Sequence, residues 1–273
     1  MSISRRSALI NVMIKAAEKA GRGLARDFGE VENLQVSKKG PGDFVSAADL
    51  RAEETIRYEL EKARPTFGFL MEESGETKGK DPDRRFIVDP LDGTTNFLHG
   101  IPHWSISIAA EEKGKITAGL VLNPITDELY WAERGVGAFV NNRRLECTKT
   151  NRLDDAFILS GGIRNINMNE IEMLLQNKVH TIRQFGSAAL DICFVAAGKV
   201  DGFWKRKLAA WDVAAAQLIL SEARGRFTDI DLGKDGDIYA SDFVASNGHL
   251  HNDFRQTLLK AHTPAKNLEA EAS

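Results

Sequence analysis

The stretch Asp89-Pro90-Leu91-Asp92-Gly93-Thr94-Thr95-Asn96-Phe97 decides the fold that this sequence specifies. It follows Arg85-Phe86-Ile87-Val88, whose apolar and β-branched residues are typical of a buried strand. We predict that this strand delivers Asp89 and Asp92 across a proline turn and that a helix begins just after them. Carboxylates followed by an anion-binding helix start suit Mg²⁺ and a phosphate ester. This stretch alone leaves open the simpler alternative of an Asp-Pro turn with an Asx cap.

Two further segments place acids at comparable points of the chain. The apolar run that begins at Phe67 ends in the carboxylate pair Glu72-Glu73. Far downstream, Asp212 stands at the start of an apolar, alanine-rich helical segment, Ala210–Ala216. Acids at the ends of predicted strands and the starts of predicted helices indicate one shared site.

The sequence DPLDGTTNF, with EESGE before it and WDVAA after it, resembles the inositol monophosphatase family of Mg²⁺-dependent, lithium-sensitive phosphatases. The resemblance extends from the first helix to about Leu259. It implies a five-layered αβαβα sandwich, a layered α+β and α/β fold, in one domain over residues 1–262. The first half would span residues 1–150 and the second 151–262, with the metal site between them. It also implies that the protein is a homodimer.

The resemblance also implies a metal centre of two or three Mg²⁺ ions. Glu72, Asp89 and the Leu91 carbonyl would hold the first ion. Asp89 would bridge to the second, which Asp92 and Asp212 complete. So many carboxylates close together repel one another, so the empty site should be electrostatically strained.

The same resemblance assigns the catalytic and phosphate-binding groups. Thr94 and Asp49 would orient and deprotonate the attacking water, with Glu72 as the third catalytic residue. Asp49 alone would be interpreted as an acid that complements a helix dipole. The amides of Gly93 and Thr94, with Thr95 beside them, would bind the phosphate oxygens.

The rest of the substrate pocket is predicted from two segments. The start of the helix that carries Gly186, Ser187 and Ala188 would face substrate hydroxyls, on the side of the metal ligands Asp92 and Asp212. The alternative is that these small residues only permit close packing.

Two lysines complete the predicted site. Lys38 lies in Lys38–Asp43, which its glycine and proline content predicts to be a flexible basic loop; in the family this loop can fold over the metals. Lys205 stands where relatives usually carry a glutamate that accepts hydrogen bonds from substrate hydroxyls. A lysine has only donors. It either swings into solvent or, beside Arg206 and Lys207, favours substrates with a second anionic group.

Hydrophobic spacing predicts the other elements. In the first half, the predicted helices are Ile10–Phe28, ended by Gly29, and Leu50–Lys62, and the predicted strands are Trp104–Ala110, Ile116–Leu122 and Leu129–Ala132. In the second half, the predicted strands are Phe157–Ser160, Thr181–Phe185, Val200–Trp204 and Phe243–Ser246, and the predicted helices are Asn169–Gln176, Gly186–Ala197 and Val213–Glu222. These patterns indicate helices on a mostly antiparallel sheet, followed by an α/β layer. The tail Thr263–Ser273 is predicted to be disordered.

Composition limits the possible partners and compartment. The chain has 273 residues, 42% hydrophobic and 27% charged, with a formal net charge of −3, so an extended nucleic-acid surface is not expected. No run approaches the roughly 18 apolar residues of a membrane span. Cys147 and Cys193 are predicted to be free thiols in a reducing cytosol. Ser4-Arg5-Arg6 faintly resembles an export signal but lacks the apolar core, so we predict a cytoplasmic protein.

The predicted function is therefore the Mg²⁺-dependent hydrolysis of a small phosphorylated polyol or sugar, foremost inositol 1-phosphate. Fructose 1,6-bisphosphate, histidinol phosphate and adenosine 3′,5′-bisphosphate are alternative substrates. A binding role is the alternative from another class, since some bacterial members of the family act on RNA polymerase or ribosomal RNA maturation. A complete set of acids favours the enzyme, because a binding module has no physical need for them.

Overall fold

The computed structural model describes residues 6–30, 36–40, 43–161, 171 and 173–262. The helices are α1 (Ala8–Phe28), α2 (Ala47–Ala63), α3 (Thr94–Leu98), α4 (Ala188–Ala196), α5 (Ala210–Glu222) and α6 (His251–His262), with a 3₁₀ turn at Leu153–Asp155. Residues 171 and 173–176 are also helical. The strands are β1 (Val36–Gly40), β2 (Asp43–Ser46), β3 (Gly68–Met71), β4 (Gly75–Thr77), β5 (Arg84–Asp92), β6 (Ser105–Glu112), β7 (Lys115–Asn123), β8 (Glu128–Glu133), β9 (Gly137–Val140), β10 (Arg143–Arg144), β11 (Phe157–Ser160), β12 (Thr181–Arg183), β13 (Gly202–Lys205), β14 (Arg226–Asp229) and β15 (Phe243–Ser246).

These strands form two large sheets and one hairpin. The first half builds an eight-stranded sheet in the order β10-β9-β8-β7-β6-β5-β3-β4, in which β3 and β5 run parallel and the other pairs antiparallel. The second half builds a five-stranded sheet in the order β12-β11-β13-β15-β14, with β11 parallel to both of its neighbours. The predicted contrast between a mostly antiparallel first half and a mixed second half is confirmed.

Helices cover both faces of each sheet. Successive side chains of β5 point to opposite faces, so Phe86 and Val88 join the apolar cluster under α1 and α2, while Ile87 joins the cluster around α4 and α5. The cluster around α4 and α5 also contains side chains of the five-stranded sheet, including Phe203 and Phe243. A third cluster packs α6 and the helical residue Ile171 on the outer face of that sheet. The order helix, sheet, helix, sheet, helix is the predicted five-layered αβαβα sandwich.

The alanine-rich sequence of α5 lets this helix lie very close to the eight-stranded sheet. A Cβ on Gly119 of β7 would come within 2.9 Å of the backbone of Ala215. Because neither residue has a bulky side chain, the start of α5 is held against the centre of the sheet. Asp212, in the first turn of α5, is thereby placed near the end of β5.

Three predictions about local structure need correction or fall outside the described residues. The segment around Lys38 was predicted to be a flexible loop, but Lys38 lies in β1 and pairs with Phe44 of β2 in an antiparallel hairpin. Strand β14 and helix α6 were not predicted. The tail 263–273 lies outside the described residues. So do residues 169, 170 and 172 of the predicted helix Asn169–Gln176, whose residues 171 and 173–176 are helical. No helix in the described part of the chain combines the length and apolar character needed to cross a membrane.

Candidate active site

The central acids stand on a bulge in β5, not on a turn. Asp89 pairs with Ser107 of β6 and Asp92 pairs with Ser105, so three steps along β5 match two along β6. In a regular strand, residues three apart point to opposite faces; the extra residue lets Asp89 and Asp92 point to the same side. Pro90 is tolerated there because a bulge needs no ladder hydrogen bond from it. The predicted proline turn is therefore wrong, although the predicted pairing of the two acids is right.

Gly93 converts the end of β5 into the start of α3. Its φ of +92° lies in the left-handed region, and a Cβ would come within 3.1 Å of the His103 carbonyl. The hydroxyl of Thr94 donates to the Leu91 carbonyl at 2.9 Å. Because the hydroxyl proton is donated to the Leu91 carbonyl, the Thr94 hydroxyl must rotate before it can pair with Asp49 as predicted. Thr95 is exposed beside it.

Asp92 is held by the first turn of α4. Its Oδ2 accepts from the Ser187 hydroxyl at 2.5 Å and from the Ala189 amide at 2.8 Å, and its Oδ1 accepts from the Ala188 amide at 3.3 Å. Ser187 also caps α4 and is fully buried. The contact that the structure gives Ser187 is therefore with a predicted metal ligand. Its contact with substrate, like that of Gly186 and Ala188, stays a prediction.

Asp89, Asp92 and Asp212 form the first of two groups of acids. One carboxylate oxygen from each lies within 4.8 Å of the others. Burial, followed by the charge of Glu72, raises the pKa of Asp89 well above its ordinary value. Burial and the charge of Asp92 raise the pKa of Asp212 from 3.8 to about 7. Burial also raises the pKa of Asp92, but the Ser187 hydrogen bond opposes this rise. The predicted electrostatic strain is present.

The second group of acids lies between α2 and the end of β3. Asp49, Glu72 and Glu73 also bring one oxygen each within 4.8 Å of one another. Asp49 is buried in the first turn of α2 and its charge contributes to the raised pKa of Asp89, so the two groups adjoin. One turn further along α2, Glu53 is buried and accepts from the Glu73 amide at 2.9 Å. Glu53 was not predicted, although its spacing of four residues from Asp49 places both on one helical face.

A second unpredicted contact joins the loop after α3 to α4. His103 Nε2 lies 2.9 Å from Asp191 Oδ1, and the imidazole packs edge-on against Phe185 and Phe194. Burial raises the pKa of Asp191 to about 6, and the His103 hydrogen bond opposes this rise. Asn96 reinforces the junction by donating to the carbonyls of His103 and Phe185, both at 2.7 Å. The sequence feature that could have indicated this contact is Asp191, a single acid within the otherwise apolar helix α4.

Lys205 is a cation whose charge acts on two acids of the first group. It ends β13, and its charge favours the ionised forms of Asp92, Asp191 and Asp212. The side chain of Lys38 lies outside the described residues, so its predicted contact over the site stays a prediction.

The donor set fits hard divalent cations. Asp89, Asp92 and Asp212 converge with an oxygen each, and Glu72 and the Leu91 carbonyl stand beside them. Carboxylate and carbonyl oxygens are the ligands that Mg²⁺ prefers. Burial, followed by the charges of four neighbouring acids, raises the pKa of Asp89, so a bound cation would favour its ionised form. Two adjoining acidic groups can hold more than one cation.

Comparisons with known proteins agree with this geometry. Residues 5–263 match the sequence model of the inositol monophosphatase family. An inositol-1-monophosphatase from Rhizobium meliloti (strain 1021) is 54% identical over 93% of this chain and 97% of that protein. A protein named Nus factor SuhB from Pasteurella multocida (strain Pm70) is 39% identical over 82% of this chain and 86% of its own. The crystal structure of the extragenic suppressor protein SuhB from Bartonella henselae superposes with a TM-score of 0.89 and 52% identity, covering 93% of this chain and 99% of that one.

Proposed function

Because this chain belongs to the inositol monophosphatase family, we propose that it hydrolyses inositol 1-phosphate to inositol and phosphate with the help of Mg²⁺. It is a phosphatase, as its relatives at 47–55% identity are named. The observation that carries the proposal is the convergence of Asp89, Asp92 and Asp212, from β5 and α5, beside the acids of α2 and β3.

The metal ligands are proposed from this arrangement and from the family. Glu72, Asp89 and the Leu91 carbonyl would hold one Mg²⁺, and Asp92 and Asp212 would hold another together with Asp89. Glu73, grouped with Asp49 and Glu72, would support a third ion. The ions supply charge that stabilises both the attacking and the leaving oxygen of an in-line displacement. Ser187 and the α4 amides fix the orientation of Asp92, one oxygen of which lies within 4.8 Å of oxygens of Asp89 and Asp212.

The residues around the acids position water and phosphate. The Thr94 hydroxyl turns from the Leu91 carbonyl towards Asp49, and the pair then takes a proton from the attacking water and aims the water at phosphorus. The amides of Gly93 and Thr94 donate to the phosphate oxygens. Asp49 is buried, so the protein shields this carboxylate from bulk water.

Several properties of the family extend the proposal. We expect two or three Mg²⁺ ions, inhibition by lithium, a homodimer and a cytoplasmic location. The other substrates are fructose 1,6-bisphosphate, histidinol phosphate and adenosine 3′,5′-bisphosphate. A binding role with RNA polymerase or in ribosomal RNA maturation is the alternative from another class, and the relatives named Nus factor SuhB, at 38–39% identity, keep it open.

A panel assay tests the proposal. Phosphate release would be measured from inositol 1-phosphate and the three other substrates, with Mg²⁺ and with EDTA. We expect release that depends on Mg²⁺, with the highest kcat/KM for inositol 1-phosphate. A higher kcat/KM for another ester would make that ester the preferred substrate in place of inositol 1-phosphate, with the same hydrolysis mechanism. No release from any ester, with a correctly folded protein that binds Mg²⁺, would favour the binding role.

A further inference from the structure

Helix α2 directs two acids towards the turn between β3 and β4. Asp49 and Glu53 lie one helical turn apart and are only 1% and 5% exposed. Asp49 belongs to the second group of acids, with Glu72 and Glu73. Glu53 belongs to neither group that the described residues form, but its Oε2 accepts from the Glu73 amide at 2.9 Å. Glu53 therefore binds the backbone that carries two of the acids.

Two hydrogen bonds tie this acidic turn, residues 72–74, to different parts of the molecule. The Glu72 amide donates to the Val88 carbonyl of β5 at 3.2 Å, which ties the turn to the eight-stranded sheet. The Glu73 amide donates to Glu53, which ties the turn to α2. The second bond therefore joins the element that carries Asp49 to the segment that carries Glu72 and Glu73.

The second group of acids draws its members from two elements that repel each other. Asp49 comes from α2, and Glu72 and Glu73 come from the turn, with one oxygen of each within 4.8 Å of the others. Like charges this close favour separation of α2 from the turn. A hydrogen bond from a backbone amide to a carboxylate is one of the stronger kinds in proteins. The bond between Glu53 and the Glu73 amide opposes that separation.

We propose that Glu53 is a positioning residue of the metal centre, which holds Glu72 and Glu73 in place relative to Asp49 through the Glu73 amide. This inference rests on the proposed function and deepens it, because Glu53 itself contacts neither metal nor substrate. With the turn held by α2, the acids are already arranged when Mg²⁺ arrives. Without that bond, Mg²⁺ must also order the turn, so its affinity falls, whereas saturating Mg²⁺ restores the arrangement.

Two substitutions separate the reach of this side chain from its charge. Glu53→Gln keeps the length and an acceptor oxygen but removes the charge, whereas Glu53→Asp keeps the charge but is one methylene too short to reach the amide. Calorimetric titration of the metal-free, substrate-free protein with Mg²⁺ should show affinity about 10–100-fold lower for Glu53→Asp and within about threefold for Glu53→Gln.

The kinetics should show the same order. With inositol 1-phosphate, Glu53→Asp should need about 10–100-fold more Mg²⁺ for its half-maximal rate, while kcat at saturating Mg²⁺ stays within about threefold of the unaltered protein. Glu53→Gln should resemble the unaltered protein in both values. Circular dichroism and urea unfolding confirm that both variants are folded.

A matched control shortens the neighbouring acid. Glu54 is exposed on α2, so Glu54→Asp should leave Mg²⁺ affinity unchanged. Affinity that is unchanged in both Glu53 variants, equally lowered in both, or lowered only in Glu53→Gln would overturn this inference. Mg²⁺ binding without phosphate release by the unaltered protein would count against the proposed function alone, because the titration needs no substrate. A protein that binds no Mg²⁺ would overturn both.

Discussion

Replacing Asp212 by asparagine should stabilise the metal-free protein. Burial and the charge of Asp92 raise the pKa of Asp212 to about 7, against 3.8 for a free aspartate. The folded state therefore binds this proton more tightly than the unfolded state, and stability is lost as the pH rises from 3.8 to 7. Each pKa unit corresponds to about 1.4 kcal/mol, so ionised Asp212 costs up to about 4 kcal/mol at pH 8 and about 1.5 kcal/mol at pH 5.

Asparagine keeps the acceptor for the Ala209 amide, which donates to Asp212 Oδ2 at 2.6 Å, but cannot ionise. Urea unfolding followed by tryptophan fluorescence in EDTA should therefore show Asp212→Asn to be more stable at pH 8, by about 1–4 kcal/mol after allowance for partial exposure of the carboxylate. The gain should shrink by about 2–3 kcal/mol at most between pH 8 and pH 5. Saturating Mg²⁺ should stabilise the unaltered protein more than the variant.

A matched control removes one negative charge elsewhere. Glu61→Gln changes an exposed acid on α2 and should leave the free energy of unfolding nearly unchanged. The reasoning is refuted if Asp212→Asn is no more stable than the unaltered protein in EDTA at pH 8. A gain of equal size at pH 5 and pH 8 would also contradict it, since an ionisation effect must vary with pH.

Three further results are expected. Thr94→Ala should lower kcat about 10²–10⁴-fold while calorimetry shows little change in Mg²⁺ affinity, and a variant that simply fails to bind Mg²⁺ would make Thr94 structural. Ser187→Ala removes the hydroxyl that donates to Asp92, so the orientation of this proposed metal ligand is less well fixed. Calorimetry should show Mg²⁺ affinity about 10–100-fold lower. Equal affinity would show that the α4 amides alone are enough to orient Asp92. Burial lowers the pKa of His251 from 6.5 to about 4. Between these pH values His251 is protonated in the unfolded state but not in the folded state. The free energy of unfolding should therefore fall by about 3 kcal/mol as the pH drops from 6.5 to 4. Unfolding of His251→Gln should lack this loss, and parallel pH profiles would contradict the assignment.

The sequence predicted those parts of the site that strand and helix patterns determine directly. The apolar run before Asp89 predicted β5, and the helical spacing after Asp49 and around Asp212 predicted α2 and α5. Each pattern begins or ends at an acid, so the acids could be located before their contacts were known. The resemblance to the inositol monophosphatase family then supplied the order in which the helices and sheets are layered.

The missed features depend on contacts between segments that are distant in the chain. The bulge at Pro90 is a mismatch between β5 and β6, and neither strand shows it alone. The bond between Ser187 and Asp92 joins residues 95 positions apart, and that between His103 and Asp191 joins residues 88 apart. The contact between the Gly161 backbone and the Lys205 side chain depends on how β11 and β13 pair. Local patterns carry no information on such contacts.

The central claim is that Asp89 joins the acids of β5 and α5 to Glu72 in one metal centre that hydrolyses a phosphate ester. Phosphate release from inositol 1-phosphate at saturating Mg²⁺ should be measured for the unaltered protein and for Asp89→Asn, with circular dichroism to confirm the fold. Loss of a ligand shared by two cations costs several kcal/mol of transition-state stabilisation, on the order of a thousandfold in rate or more. The account predicts Mg²⁺-dependent release by the unaltered protein and almost none by a folded Asp89→Asn. Near-equal rates for the two proteins would contradict it.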